Sequence, residues 1–281
     1  MIPASFDYAT ATSVDHALSL LKNGGEDAKL IAGGHSLLPL MKLRLARPSL
    51  LIDIKRLSDL SYVKDAGGHI AVGALTRHHD VQHAAELRQH CPLLSYTAGL
   101  VGDPQVRHMG TIGGSVAHGD PASDLPTVLL ALDAQFVITG QSGKRTVAAG
   151  DFFTGFFETA LGSGDLLTEI QVPKTGDKKW SYLKFNRRAQ DWAIVGVATV
   201  AGRSNGSISG ASIGLTNMGL TPMRATAVEQ AVGGAGPDGI AAAASHAAEG
   251  ASPPSDTNAS ADYRRHLAEV LVRRSLEAAL G

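Results

Sequence analysis

Two glycine pairs constrain this chain more than any other feature. The first lies in Ala32-Gly-Gly-His-Ser36, after the short apolar run Lys29-Leu-Ile-Ala32 and ahead of a helix-like stretch. The second lies in Thr111-Ile-Gly-Gly-Ser115, and Val116-Ala-His-Gly-Asp-Pro-Ala-Ser-Asp124 follows it. A glycine pair lets the backbone turn sharply and brings bare N–H groups against an anion. A serine hydroxyl adds a donor, and an adjacent helix start adds a positive dipole end. One such pair more often makes a plain turn. Two, both ending in serine beside a helix-like segment, point to one diphosphate gripped from two sides. That implies a diphosphate-linked cofactor, held without the GxGxxG fingerprint of a dinucleotide-binding strand–turn–helix.

The rival motifs are weaker. Gly234-Ala-Gly-Pro-Asp-Gly239 matches the fingerprint only literally, between helix-like segments, with Pro237 where the helix should open. Gly143-Lys144-Arg145 lacks the hydroxyl residue and the upstream glycine of a P-loop. His78, His79, His83 and His90 fall in one predicted helix; without an HExxH pattern or a cysteine they read as a solvated polar face. The single cysteine, Cys91, excludes an internal disulfide, a four-Cys zinc site and a self-contained iron–sulfur cluster. The net charge of -1, from 25 Lys+Arg against 26 Asp+Glu, opposes a general nucleic-acid or acidic-membrane binder. No stretch approaches the roughly 20 apolar residues of a membrane span. Residues 1–12 carry neither the basic nor the apolar part of a secretory signal. The expectation is a cytoplasmic protein, in which Asn205-Gly-Ser207 and Asn258-Ala-Ser260 match glycosylation acceptors by chance.

Periodicity and turn signals divide the 281 residues into an α/β part and a smaller sheet-and-helix part. Thr12-Ser-Val-Asp15 has capping-box character ahead of a helix that ends at Asn23-Gly24-Gly25. Strands at 29–32 and 50–54 flank a helix at 37–45, giving an αβαβ opening. A strand at 70–74, a helix at 76–89, a helix at 93–100 and a loop at 110–121 follow. A helix at 125–132 and strands at 135–139 and 166–172 complete this part. The polar, turn-rich stretch 173–179 marks the boundary. Beyond it, 180–185, 194–201 and 207–215 alternate as strands of an antiparallel sheet, with helices near 225–232, 239–248 and 261–279. Residues 250–260, rich in Ala, Ser and Pro, read as a flexible connection.

The two glycine motifs, extended to Arg44 and to Pro126, resemble the FAD-binding motifs of the medium subunit of molybdenum hydroxylases. The carbon monoxide dehydrogenase medium chains, a branch of the xanthine dehydrogenase family, are the nearest in pattern. Asn186-Arg-Arg-Ala-Gln-Asp-Trp-Ala-Ile-Val195 and Tyr263-Arg-Arg-His-Leu267 resemble that family's second domain, so the likeness covers almost the whole chain. It implies an α+β fold: an FAD-binding domain of the PCMH type at 1–174, in subdomains of about 1–55 and 56–174, then a C-terminal domain of antiparallel sheet with helices at 175–281. It also implies partners: a large subunit with a molybdenum cofactor and a small subunit with two 2Fe-2S clusters, assembled as a dimer of three-subunit units. Two departures stand out, His35 where Gln is frequent, and His108-Met109 where Asn and Arg often stand.

Carried over position by position, Gly33, Gly34, Ser36, Gly113, Gly114 and Ser115 cradle the diphosphate of FAD, with His35 contributing its backbone. Lys29, Leu30, Ile31 and Ala32 line the adenosine or ribityl side, Thr111 and Ile112 open the second grip, and Val101 packs on the adenine. Asp124 either accepts from a sugar or ribityl hydroxyl or caps the next helix. Leu167 packs on the flavin or is a plain core leucine. Lys184 is a cation beside the isoalloxazine or a surface strand lysine; Trp192 shields the flavin edge or is a core aromatic. The resemblance thus implies an electron-relay subunit with no catalytic dyad, nucleophile or metal site of its own. Two alternatives stay open: a stand-alone flavin reductase or oxidase resembling the enolpyruvyl-glucosamine reductases, and a flavin-free scaffold protein.

Overall fold

The computed structural model describes residues 1–204 and 207–280, so Asn205 of the first acceptor motif lies outside the described residues. The chain opens with β1 (Asp7–Thr10), α1 (Val14–Gly24), β2 (Ala28–Ile31), α2 (Leu37–Lys42) and β3 (Leu50–Asp53), a parallel sheet in the order β1–β3–β2. The unit is therefore βαβαβ rather than the expected αβαβ. β1 escapes a hydrophobic reading because it is a half-exposed edge strand; Tyr8 ties it down by donating from its hydroxyl to Asp53 at 2.6 Å. The cap of α1 is Ser13, whose Oγ accepts from the His16 N–H at 3.0 Å.

Next come β4 (Val63–Asp65), β5 (His69–Gly73), α3 (His78–His83), α4 (Ala85–His90), α5 (Pro92–Ala98), α6 (Pro104–Met109), α7 (Ile112–His118) and α8 (Asp124–Ala131). They are followed by β6 (Gln135–Gly140), β7 (Gly143–Ala148), α9 (Ala149–Phe152), β8 (Phe153–Gly155), β9 (Glu158–Thr159) and β10 (Leu166–Pro173). β4–β5–β10–β6–β7 form an antiparallel sheet, and its apolar face packs with the helices in the largest core. Two expectations are corrected here. The single helix at 76–89 is broken at Ala84: the Gln82 carbonyl accepts from Ser95 Oγ at 2.7 Å and Arg88 Nε at 3.1 Å, so Gln82 serves tertiary contacts. The loop expected at 110–121 contains α7, because Thr111 caps it and buried Ile112 and Val116 anchor it, offsetting the poor helix propensity of Gly113-Gly114.

The last part is β11 (Lys179–Phe185), β12 (Val195–Ser204), β13 (Ser207–Thr216), β14 (Met223–Arg224), α10 (Thr226–Val232), α11 (Ile240–Ala244) and α12 (Ala261–Leu280). Its sheet is antiparallel throughout, in sequence order. Both faces of β12 are covered. Val195 and Val197 pack into the core shared with α10, α11 and α12, whereas Ala198 and Val200 join Tyr182 in the largest core, built on the first part of the chain. Thr199 and Thr216 carry hydroxyls into these faces and are satisfied there, by Ser275 at 2.8 Å and Thr127 at 2.9 Å. The connection at 250–260 is pinned rather than free. Ser252 N–H donates to the Met218 carbonyl at 2.9 Å, and fully buried Arg264 donates to Asp256 at 2.7 Å and to the Ile194 carbonyl.

Candidate cofactor site

The parallel sheet, the helices beside the antiparallel sheet and the start of the second part leave a cleft of about 520 Å³ between them. The β2–α2 loop supplies one wall, from Lys29 through Ile31, Gly33 and His35 to Ser36. The start of α7 supplies another, with Thr111, Gly113, Gly114 and Ser115. Val101, Asp124, Leu167, Lys184 and Trp192 complete the surround. Of the residues assigned to the cofactor from the sequence, Ile112 alone is elsewhere: its side chain is fully buried in the core beneath α7.

The two glycine loops are built against each other. A Cβ added at Gly33 would overlap the Met109 carbonyl oxygen and stand 2.8 Å from the Gly110 Cα. One at Gly113 would stand 2.5 Å from the Ala74 carbonyl oxygen. These glycines therefore serve close backbone approach, while Gly34 also takes a left-handed φ of 76°. The expectation of bare N–H groups on both loops holds for one of them. In the second, Ile112 N–H donates to the Thr76 carbonyl, Gly113 to Ala74, Gly114 to Thr111 Oγ1 at 3.1 Å and Ser115 to the Thr111 carbonyl. In the first, the N–H groups of Gly33, Gly34, His35 and Ser36 donate to no protein acceptor among the described residues. The Ser36 and Ser115 hydroxyls have no partner among the described residues either. Free donors from the first loop, a hydroxyl from each loop and glycines in place of side chains fit a diphosphate.

The far end of the cleft carries a buried charge pair. Lys184 Nζ donates to Asp124 Oδ2 at 2.8 Å, with side chains only 7% and 5% exposed. The Tyr182 hydroxyl donates to Asp124 Oδ1 at 2.6 Å. Burial raises the Asp124 carboxyl above its ordinary range against the pull of Lys184 and Tyr182, and burial together with Asp124 holds the phenol far up. Lys184 is thus no surface lysine, and its charge is countered. Nor does Asp124 cap a helix: α8 starts at Asp124 itself, with Ser123 in the cap position. Trp192, 58% exposed at the mouth, is no core aromatic, while Leu167 is buried in the core and also reaches the wall.

Sequence reading missed part of the lining. His78, assigned to a solvated face, is 4% exposed and lines the cleft; burial pushes its imidazole down to about 4. No local sequence signal marks it: the backbone bridge from Arg77 to Thr111 that draws the next residue inward joins distant segments. His79 does stay outside, stacked on His108 with ring centroids 4.0 Å apart. His118 and Gln190 also line the cleft from within the second glycine motif and the Asn186–Val195 segment, and Asp165 lines it from outside any motif.

Fold and site together define a protein with a cleft between two glycine loops whose donors suit a diphosphate-linked cofactor. Residues 4–175 match the family described as FAD binding domain in molybdopterin dehydrogenase, and residues 180–279 match the CO dehydrogenase flavoprotein C-terminal domain. The chain belongs to this family, as an FAD-binding medium subunit of molybdenum hydroxylase-type dehydrogenases and hence an oxidoreductase subunit. It is similar to the carbon monoxide dehydrogenase medium chain of Hydrogenophaga pseudoflava, 40% identical over 99% of this chain and 98% of that one. It is similar also to the glyceraldehyde dehydrogenase medium chain of Sulfolobus acidocaldarius, at 38% identity over 99% of each. A solved chain of carbon monoxide dehydrogenase from H. pseudoflava superposes with a TM-score of 0.97 at 42% identity, covering 99% of this chain and 98% of that chain. No helix among the described residues is long and apolar enough to cross a membrane.

Proposed function

We propose that this chain is the flavin relay of a three-subunit dehydrogenase, receiving electrons from 2Fe-2S clusters on a small partner and discharging them to an external acceptor. The substrate would be oxidised at a molybdenum cofactor on a large partner, with two such three-subunit units per assembly, in the cytoplasm. One observation carries the reading: both glycine loops, Lys184 and Trp192 border a single cleft. Bound FAD supplies a carrier that accepts electrons singly and releases them as a pair. The chain's own residues hold and shield. N–H groups of Gly33 to Ser36, with the Ser36 and Ser115 hydroxyls, bind the diphosphate, and Thr111 sets the second loop. Lys29 to Ala32 and Val101 flank the adenosine side. Leu167 and Trp192 exclude water from the flavin end, where the Asp124–Lys184 pair fixes the local charge.

The test is reconstitution under anaerobic conditions. Neither the purified single chain nor the chain with one partner should bleach on addition of carbon monoxide, an aldehyde or a purine. With both partners present, one of these should reduce the flavin rapidly. Bleaching of the single chain by substrate alone would favour the stand-alone reductase instead.

A further inference from the structure

His78 lines the cleft, is 4% exposed and has no hydrogen bond through its ring among the described residues. Nδ1 is sealed from solvent with no partner, and Nε2 has no protein partner either but is not sealed. The ring is held from both sides. Its backbone N–H donates to the Gly110 carbonyl at 3.0 Å, and a Cβ added at Gly110 would stand 2.8 Å from its Cδ2 and 3.0 Å from Nε2. Gly110 in turn lies against Gly33, so the imidazole sits where the two glycine loops meet. The titratable groups that act on it are His35, on the first loop, and Arg107; no carboxylate does. Leaving a buried N–H without an acceptor is rarer than leaving a lone pair bare, which places the proton on Nε2 rather than on sealed Nδ1.

We propose that His78 is a cofactor-binding residue, its Nε2–H donating to an oxygen of the diphosphate held between the two loops. The proposal rests on the flavin reading above. It adds a side-chain donor on the side where the second loop's own N–H groups are already used. The imidazole is neutral at pH 7, so it offers one donor to the anion without adding a further positive charge beside Arg107.

The test strips the full chain of flavin and titrates it with FAD, following fluorescence quenching, for wild type, His78→Phe and His78→Gln. A lost hydrogen bond to a charged group predicts binding about tenfold or more weaker in His78→Phe. Glutamine, which presents an amide N–H at similar reach, should restore most of it. The two phosphorus resonances of bound FAD should shift in His78→Phe and return towards wild type in His78→Gln. A merely structural role would instead lower the melting temperature of both flavin-free variants and leave those resonances unmoved. Wild-type affinity in His78→Phe, or equal loss in both variants, overturns the assignment while leaving the flavin reading intact. A wild-type chain that binds no FAD overturns both.

Discussion

Gly33→Ala is the sharpest perturbation the site offers, because it adds one methyl group at the junction of the two loops. That methyl would overlap the Met109 carbonyl and lie 2.8 Å from Gly110 Cα, and both obstacles are backbone. Carbon atoms settle about 3.5–4.0 Å apart, so the loops must separate by about 1 Å. Overpacking costs about 1–3 kcal/mol, and rigid neighbours put this case near the upper end. For a chain of this size that lowers the melting temperature by about 6–10 °C. The same displacement moves the free N–H groups of Gly33 to Ser36 off the diphosphate. Losing one or two bonds to an anion, at about 1.5–3 kcal/mol each, weakens FAD binding by about ten- to ten-thousandfold. Gly68→Ala is the control, since a Cβ there meets nothing within 4 Å. Fluorescence titration of flavin-free protein with FAD, beside a melting curve, gives both numbers. FAD affinity within about threefold of wild type in Gly33→Ala would refute the claim that the loops' close approach forms the grip.

Three further outcomes follow from the same contacts. Lys184→Met strands the buried Asp124 carboxylate, a loss of about 3–5 kcal/mol in the ionised state. Burial already raises this carboxyl, and losing the ammonium raises it further; a carboxyl raised in the folded state contributes stability at low pH that is lost as pH rises through its folded value. The melting deficit against wild type should therefore widen from pH 5 to pH 8, and a deficit equal at both would contradict the buried pair. Thr111→Val removes the acceptor of the Gly114 N–H and should cost about 1 kcal/mol by denaturant titration, with Thr111→Ser close to wild type. FAD should be bound non-covalently, so acid precipitation should release the yellow colour to the supernatant, and colour left in the pellet would count against it.

How much of this was legible in the sequence depended on whether the signal was local. The glycine loops, the fold class and the cleft-lining positions could be read because turn chemistry and long motifs sit in contiguous residues. β1 was missed because its partner strand, forty-odd residues on, supplies what its own pattern lacks. α7 reads as a loop in the sequence because Gly113-Gly114 argues against a helix, and the tertiary anchoring of Ile112 and Val116 reverses that. His78 read as solvated because helical periodicity places it beside His79 and His83. The bridge between Arg77 and Thr111, which turns it inward, joins residues far apart in the chain. The counter-charge on Lys184 was invisible for the same reason: Asp124 lies sixty residues before it.

The double-sided burial of β12 bears on how the protein can be handled and how it can move. Ala198 and Val200 belong to one core and Val195 and Val197 to the other, so the strand is a common wall rather than a partition between two rooms. Cutting the chain between β10 and β11 would strip Tyr182, Ala198 and Val200 from the largest core and remove the Thr216–Thr127 hydrogen bond to α8. The sheet that closes over the cleft cannot swing away as a hinged lid without stripping the same core. Cofactor exchange then passes through the open sides of the cleft, where Lys29, His35, Gln190 and Trp192 are exposed, or waits for the whole molecule to unfold. Calorimetry of the intact chain should accordingly record one melting transition where two matched segments would suggest two.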